Sequence, residues 1–162
     1  FYEDRSKLWE GFEVSEGPEG SIRSKNMIHL GIDFNNLDPG TKVASILKGK
    51  ICHIQIDPSK FNGWGTKVIV ESEIKMADKV LECYFLYGHL MAFSKKAGDS
   101  ISEGEIFGEI GTPELNGGWF PHLHLQVMDK KELNVPIEVV DGYEFEPGQI
   151  KGILNPLFFL KN

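Results

Sequence analysis

Apolar and polar residues alternate along most of this chain, in short runs that glycine, proline and asparagine interrupt. Such runs predict β-strands with one buried face. The turn sequence at 75–79 predicts a hairpin of 66–74 with 80–90. No window keeps a helical apolar period without glycine or proline, so we predict no helix of substantial length. The pattern indicates a mainly β protein, with strands predicted over about 27–34, 42–47, 50–56, 66–74, 80–90, 121–127 and 135–141.

A weak internal repeat adds detail to this pattern. The pair Gly40–Val43 and Gly49–Ile51 resembles the pair Gly98–Ile101 and Gly104–Ile106. We interpret each half of the repeat as a strand, a tight glycine turn and a return strand, which predicts two short hairpins.

The most distinctive polar pattern lies in PHLHLQV, residues 121–127. As a strand, this segment puts His122, His124 and Gln126 on one face and aliphatic side chains on the other. Two imidazoles on one face, with an aliphatic face behind them, are an arrangement suited to a metal ion.

The same alternation recurs earlier, in IHLGIDF at 28–34. His29, Gly31 and Asp33 share one face there, and Gly31 leaves an empty slot between two possible ligands. If the two segments are neighbouring strands, His29, Asp33 and His124 can converge on one ion. His53 follows a half-buried strand pattern without a partner nearby in sequence, and we interpret it as structural or exposed.

Two histidines and one aspartate suit Zn²⁺ with a fourth position left to water, which is the pattern of a catalytic site. Zinc lowers the pKa of its water to about 7 and polarises a carbonyl, so amide hydrolysis is the natural reaction. The chain lacks an HExxH motif. His89 and His122 remain beside the ligand set and can act as proton acceptor or hydrogen-bond donor.

Composition excludes several classes of function. A formal net charge of −7 leaves no basic stripe for nucleic acid. No apolar run approaches membrane-spanning length. The chain begins with Phe1 and shows no signal peptide, which says little about its compartment. We predict Cys52 and Cys83 to be buried free thiols, although a bridge between them stays open.

Three short motifs resemble those of the lysostaphin/LytM-type zinc metalloendopeptidases. They are His29-x-x-x-Asp33, the Tyr87-Gly88-His89-Leu90 stretch and Pro121-His122-Leu123-His124, and their order and spacing run through residues 27–128. The resemblance implies a small antiparallel β-sheet or β-sandwich domain with a substrate groove between loops. It implies one Zn²⁺ per chain on His29, Asp33 and His124, with His89 and His122 assisting catalysis. It also implies a peptide substrate in bacterial peptidoglycan stems or cross-bridges.

The predicted groove has four further residues. Trp64 and Trp119 lie in glycine-rich loops, where a large aromatic either caps the sheet or forms a wall of the peptide cleft. Tyr87 and Asn116 belong to the stretches before His89 and Trp119, and we assign both to substrate binding. The loop 112–120 is bulkier than the short turn usual in the resembled family, which changes one wall.

The resemblance also suggests a division of the chain. We predict an irregular lead-in over 1–26 that packs Trp9 and Phe12 onto the domain, a metallopeptidase core over 27–129, and a C-terminal extension over 130–162 packed on the core. An extracytoplasmic compartment is favoured and a cytoplasmic one stays open. The oligomeric state is not predicted.

Three alternatives differ from the leading interpretation. The first is a non-catalytic regulator of cell-wall enzymes that binds a partner in the same groove, which lost ligands would favour. The second is a metallopeptidase-like domain accessory to a cytoplasmic enzyme, since a similar loop occurs in a related domain joined to aminotransferase-like enzymes. The third is a histidine phosphocarrier, in which the Asp33 carboxylate would repel a phosphoryl group. Stoichiometric zinc distinguishes the enzyme from a carrier and from most regulators.

Overall fold

The computed structural model of the chain describes residues 12–13, 28–57, 59, 63–146 and 148–160. Regular structure in these residues is almost entirely strand, which confirms the mainly β prediction, and the helical elements described are two 3-10 turns, Ile137–Val139 and Pro156–Phe159. The predicted lead-in over 1–26 lies outside the described residues except for Phe12–Glu13. The strands are β1 (Phe12–Glu13), β2 (Ile28–His29), β3 (Ile32–Phe34), β4 (Lys42–Ala44), β5 (Gly49–Ile56), β6 (Thr66–Lys75), β7 (Val80–Phe93), β8 (Ser100–Ile101), β9 (Ile106–Ile110), β10 (Leu123–Asp129), β11 (Tyr143–Glu144) and β12 (Ile153–Leu154).

An antiparallel main sheet has the strand order β12-β10-β7-β6-β5-β8, with β3 paired to β10 and β9 paired to both β4 and β7. The predicted hairpin is confirmed as β6 and β7, and its turn closes with the Met76 amide donating to the Lys79 carbonyl at 2.8 Å. A small second sheet has the order β1-β2-β11.

The internal repeat forms a different structure from the two predicted hairpins. β4 pairs with β9, and β5 pairs with β8, so each half of the repeat pairs with the other half. The amide of Gly40 donates to the carbonyl of Ile110 at 2.8 Å, and that of Gly98 donates to Ile51 at 2.7 Å. The prediction of two separate hairpins is wrong, because the main-chain groups of each half are satisfied across the repeat.

Alternate residues of the long strands bury their side chains in two separate clusters. Phe85 and Val127 belong to a larger cluster, whereas Leu86 and Met128 belong to a smaller one. Because adjacent strand residues point to opposite faces, the two clusters lie on opposite faces of the main sheet. His124 and Gln126 share the face of Met128, so the polar face predicted for this segment lies on the side of the smaller cluster.

The predicted strand over 27–34 is interrupted. Its first part is β2 of the small sheet, and its second part is β3 of the main sheet. Leu30 packs in the smaller cluster, whereas Ile32 and Phe34 pack against the larger one, so the chain must leave one face for the other. The Leu30 amide is satisfied at this break by the Gly142 carbonyl at 2.8 Å.

The predicted strand over 135–141 is also wrong. Pro136 has φ −57° and carries no N–H, and its carbonyl accepts from the Val139 amide at 3.1 Å to start a 3-10 turn. The carbonyls of Glu138 and Val140 then accept from the buried Lys67 ammonium instead of a neighbouring strand. A lysine distant in sequence thus overrides the β propensity of this run.

Other predictions concern single residues. Cys52 and Cys83 are free thiols, with Cys83 buried and Cys52 only half-buried. His53 is half-buried, and its Nε2 has no hydrogen-bond partner among the described residues. No helix in the described ranges is long and apolar enough to cross a membrane.

Candidate metal centre

Three side chains from three strands bring potential ligand atoms within 4.8 Å of one another. They are His29 on β2, Asp33 on β3 and His124 on β10. His29 Nε2 lies 2.9 Å from His124 Nδ1 and 3.3 Å from Asp33 Oδ1, and His124 Nδ1 lies 3.1 Å from the same oxygen. The three atoms therefore form a nearly equilateral triangle.

This triangle has the size that a zinc ion requires. A tetrahedral Zn²⁺ with bonds of about 2.0–2.1 Å holds its ligand atoms about 3.3 Å apart. Two imidazole nitrogens and one carboxylate oxygen also form a donor set typical of zinc sites that keep an open position. The residues present therefore fit a zinc ion without rearrangement of the strands.

Strand pairing and a glycine position the three groups. Asp33 lies directly opposite His124 in the antiparallel pair of β3 and β10. A Cβ atom on Gly31 would lie 2.7 Å from His124 Nε2 and 2.6 Å from the Leu125 carbonyl oxygen. The slot that Gly31 leaves is thus filled by the imidazole of a ligand, and a larger residue there would displace it.

The electrostatics of the cluster favour a cation. Burial raises the pKa of Asp33, but hydrogen bonds from His124 and His29, together with their charges, outweigh burial and hold that pKa well below its usual range. Burial lowers the pKa of His124 below that of a free imidazole. An ionised carboxylate beside a neutral imidazole is the protonation state that metal binding needs.

Gln126 fixes which nitrogen of His124 faces the other ligands. The Gln126 amide nitrogen donates to Met128 Sδ at 3.5 Å, which leaves its Oε1 atom, 3.2 Å from His124 Nε2, as a hydrogen-bond acceptor. His124 Nε2 can therefore donate to Gln126, and with a metal bound in the triangle Nδ1 would give up its proton and present its lone pair to the ion.

His89 and His122 lie beside this triangle with the opposite tautomer. Nδ1 of His89 is 2.9 Å from the Asn116 carbonyl, and Nδ1 of His122 is 2.7 Å from the Phe120 carbonyl. A carbonyl can only accept, so both Nδ1 atoms carry protons and both Nε2 atoms are the basic nitrogens. His122 Nε2 is 3.9 Å from Asp33 Oδ1, and the rings of His89 and His122 are 4.3 Å apart.

His89 reaches this position through an unusual backbone. Its φ is +67°, in the left-handed region that non-glycine residues rarely adopt. Alternation would place it on the face of Phe85 and Tyr87, and the left-handed residue breaks that alternation beside a β-bulge. Burial, with repulsion from His122 and His124, lowers the pKa of His89 to about 3.

Trp64 contacts two of these histidines. Its ring stacks on His89 at 5.5 Å and meets His124 edge-on at 5.2 Å. The Trp64 carbonyl accepts from the His89 amide at 3.0 Å, and its ring also packs against the smaller core cluster. Trp64 therefore caps the smaller cluster and contacts the candidate site, and its role as a wall of the peptide cleft stays a prediction.

Trp119 is held beside His89 and His122 by its own loop. The buried Asn116 side chain accepts from the Trp119 amide at 2.9 Å and donates to the Trp119 carbonyl at 3.0 Å. The Trp119 indole donates to the Gly63 carbonyl at 2.9 Å, and its ring lies 6.0 Å from His89 and 6.4 Å from His122. Two glycine-rich loops are thereby joined next to the metal centre.

A family comparison agrees with this geometry. The family model described as "Peptidase family M23" matches residues 27–136, which include the four clustered histidines and Asp33. The chain belongs to peptidase family M23. The resemblance to lysostaphin/LytM-type metallopeptidases seen in the sequence is thus confirmed. No curated protein matches the chain.

Solved structures share the M23 fold. The catalytic domain of the antimicrobial peptidase lysostaphin from Staphylococcus simulans is 25% identical with a TM-score of 0.53, over 94% of this chain and 91% of that one. A longer lysostaphin chain is 25% identical with a TM-score of 0.54, over 82% of this chain and 43% of that one. Helicobacter pylori Csd3 is 22% identical with a TM-score of 0.50, over 83% of this chain and 27% of that one. The chain therefore spans less than half of these two longer proteins.

Two predicted substrate-binding residues lie away from the M23 site surface. Tyr87 is 1% exposed, packs edge-on against Phe107 and accepts a hydrogen bond from the Ile46 amide at 3.0 Å. It belongs to the larger core cluster, on the opposite face of the sheet, and has no surface to offer a substrate. Asn116 is also fully buried and acts by positioning Trp119 and accepting from His89.

Sequence reasoning missed three residues that adjoin the site. Phe120, 55% exposed, lies 4.7 Å from the His122 ring, and Tyr143 lies 5.1 Å from the His29 ring. Gln126 shares the predicted histidine face, and its contact with His124 Nε2 gives it a role that alternation alone does not indicate. Phe120 could have been found from its position next to the histidine pair, whereas Tyr143 lies in a tail without a recognisable motif.

Proposed function

We propose that this M23 domain is a zinc-dependent endopeptidase that hydrolyses peptide bonds, with peptidoglycan stem or cross-bridge peptides as substrates. The observation that carries the proposal is the triangle of His29, Asp33 and His124 with two further histidines beside it. Family membership and the likeness to the lysostaphin catalytic domain support a peptidase.

His29, Asp33 and His124 would hold one zinc ion. Bound there, zinc supplies Lewis acidity that polarises a scissile carbonyl and activates water near neutral pH. Asp33 contributes the negative charge of the ligand set, and Gln126 keeps His124 in the ligand tautomer.

His89 and His122 would move the proton. In each, the Nδ1–H is tied to a main-chain carbonyl, which orients Nε2 as the atom that accepts a proton from the attacking water. Once protonated, Nε2 can donate to the oxyanion or to the leaving amine. The rings of the two histidines are 4.3 Å apart, so both reach the same water. Burial holds the pKa of His89 at about 3, which makes its Nε2 a weak proton acceptor, so we assign the larger share of proton transfer to His122.

Trp64, Trp119 and Phe120 would form aromatic walls for the peptide. Trp64 and Trp119 flank His89, and Phe120 covers His122 with an exposed ring. Flat aromatic walls pack against an extended peptide and leave the metal centre between them.

The test is digestion of purified peptidoglycan and of defined stem and glycine peptides by the zinc-loaded protein, with products identified by mass spectrometry. His124→Ala is the matched control, because it removes one ligand. We expect cleavage by the parent protein, loss after chelation, recovery with zinc, and none in the control. Peptide binding without cleavage by a zinc-loaded protein would instead favour the regulator, and stable folding without zinc uptake would refute the metal site.

A further inference from the structure

We propose that the segment Val140–Glu144 forms a wall of the peptide groove and that Tyr143 contacts the bound peptide beside His29. This inference rests on the proposed peptidase function and assigns a new substrate-contacting residue to it. The segment lies beyond residue 136, where the match to the family model ends.

The segment reaches both histidines of the ligand triangle, His29 and His124. Tyr143 lies directly opposite His29 in the antiparallel pair of β11 and β2, and their rings are 5.1 Å apart at an angle of 38°. A Cβ atom on Gly142 would lie 3.2 Å from His124 Cε1 and 3.0 Å from the Trp64 ring. A side chain at this position would therefore push the Trp64 and His124 rings by a few tenths of an ångström.

Both ends of the segment are anchored. Lys67 is 1% exposed, and its ammonium donates to the Val140 carbonyl at 3.0 Å and lies 5.3 Å from the Trp64 ring centroid. At the other end, the buried Glu144 carboxylate accepts from the Gly148 amide at 2.9 Å and the Ile150 amide at 2.8 Å. The Leu30 amide adds a bond to the Gly142 carbonyl in the middle. These contacts make the segment a fixed wall.

Within this wall, Tyr143 both contacts the His29 ring and keeps part of its side chain exposed to solvent. It is half-buried, whereas Val140 and Glu144 on either side of Gly142 are buried. A tyrosine in that position offers an extended peptide a flat apolar face and a phenolic group. Together with Trp119 and Phe120 on the histidine-pair side, it would confine the peptide between two aromatic surfaces.

The experiment compares Tyr143→Ala and Tyr143→Phe with Phe145→Ala, which removes an aromatic that is 62% exposed in the following turn. Each zinc-loaded variant is assayed for zinc content, kcat and KM on a defined peptide, and the Kd of a non-cleaved peptide analogue by calorimetry. For Tyr143→Ala we expect KM and Kd to rise about three- to tenfold, from the loss of an aromatic contact. Zinc content should stay at one per chain, and Phe145→Ala should behave like the parent.

The outcomes separate this inference from the proposed function. An unchanged KM and Kd in Tyr143→Ala, with cleavage intact, overturns the wall and leaves the peptidase. A parent protein that binds the analogue but cleaves no peptide overturns the peptidase, while a weakened Kd in Tyr143→Ala still supports the wall. Should Tyr143→Ala not fold, Gly142→Ala tests the same wall, and it should lower zinc affinity at least threefold by crowding His124. Parental zinc affinity and KM in Gly142→Ala would overturn the inference.

Discussion

Replacing Gln126 tests the metal centre while all three proposed ligands stay in place. It is fully buried, and its carbonyl oxygen lies 3.2 Å from His124 Nε2. Replacing Gln126 with leucine removes the acceptor and leaves a similar volume in place. His124 would then lose the group that holds a proton on Nε2 and so leaves Nδ1 as the nitrogen that can bind zinc.

Two independent considerations give the same magnitude for this change. Leaving a buried N–H without an acceptor costs roughly 1–3 kcal/mol. Loss of a hydrogen-bond partner behind a metal-binding histidine weakens metal affinity about 10–100-fold, which corresponds to roughly 1.4–2.7 kcal/mol. We therefore expect the zinc Kd of Gln126→Leu to rise about 10–100-fold.

The assay is competition for zinc against a chromophoric chelator, with Gln126→Glu and Met128→Leu as controls. Gln126→Glu keeps an oxygen acceptor in the same place, so its zinc Kd should stay within about tenfold of the parent. Met128 accepts from the Gln126 amide nitrogen at 3.5 Å, and its exchange for leucine conserves volume on the same strand face. That control should bind zinc as the parent does.

Equal zinc affinity in Gln126→Leu and the parent would refute the orienting role. So would an equal loss in the leucine and glutamate variants, because that result would follow from general disruption of the strand.

Further predictions concern the groups around the ligands. His89→Ala and His122→Ala should each keep zinc while lowering kcat by about two to four orders of magnitude, measured as zinc stoichiometry beside cleavage rate, and loss of zinc in His122→Ala would make it a ligand. Trp119→Ala should raise KM about three- to tenfold, because it removes an aromatic contact with the peptide. Trp64→Ala should raise KM and also lower the free energy of unfolding by roughly 2–4 kcal/mol, because the Trp64 ring packs in the core. Normal stability and kinetics in both variants would show that neither residue lines the cleft. The pKa of His89 is lowered to about 3 in the folded state, against about 6.5 unfolded, so the unfolded state takes up the proton first as pH falls. The free energy of unfolding of zinc-free protein should therefore decline between about pH 6.5 and 3, by up to about 5 kcal/mol from this group, and His89→Gln should show a smaller slope in denaturant titrations.

The alternation of apolar and polar residues was sufficient to predict which strand faces carry His124 and Asp33. His124 and Asp33 each occupy a strand face backed by apolar residues, and the two strands pair so that these residues lie opposite each other. The hairpin of β6 and β7 was also predictable from the sequence, because two alternating runs flank one turn. Where the backbone is regular, the side-chain period of two is sufficient to predict a strand and the face on which each side chain lies.

The prediction failed where tertiary contacts set the backbone. His89 leaves the face of Tyr87 because its φ is positive, a property that the alternation does not encode. Tyr87, predicted in the substrate groove from its place in the stretch before His89, fills the core on the other face. The run after Pro136 became a 3-10 turn because Lys67, far away in sequence, takes its carbonyls.

Part of the candidate site comes from β11, a segment without a recognisable sequence motif. Tyr143 approaches His29 because β11 adds to the edge of β2, and nothing in the sequence around residue 143 announces a pairing with residue 29. The proposed division of the chain at residue 129 remains a prediction. Residues beyond it nevertheless pack into both core clusters, through Leu154 in the larger and Ile153 in the smaller.

The most direct test of the zinc site is anomalous diffraction at the zinc absorption edge from crystals of the zinc-loaded protein. We predict one peak per chain, within about 2.0–2.2 Å of His29 Nε2, Asp33 Oδ1 and His124 Nδ1, with His89 and His122 outside the coordination shell. A peak coordinated by His122 in place of one of these residues, or the absence of a peak between the three ligand atoms, would contradict the assignment.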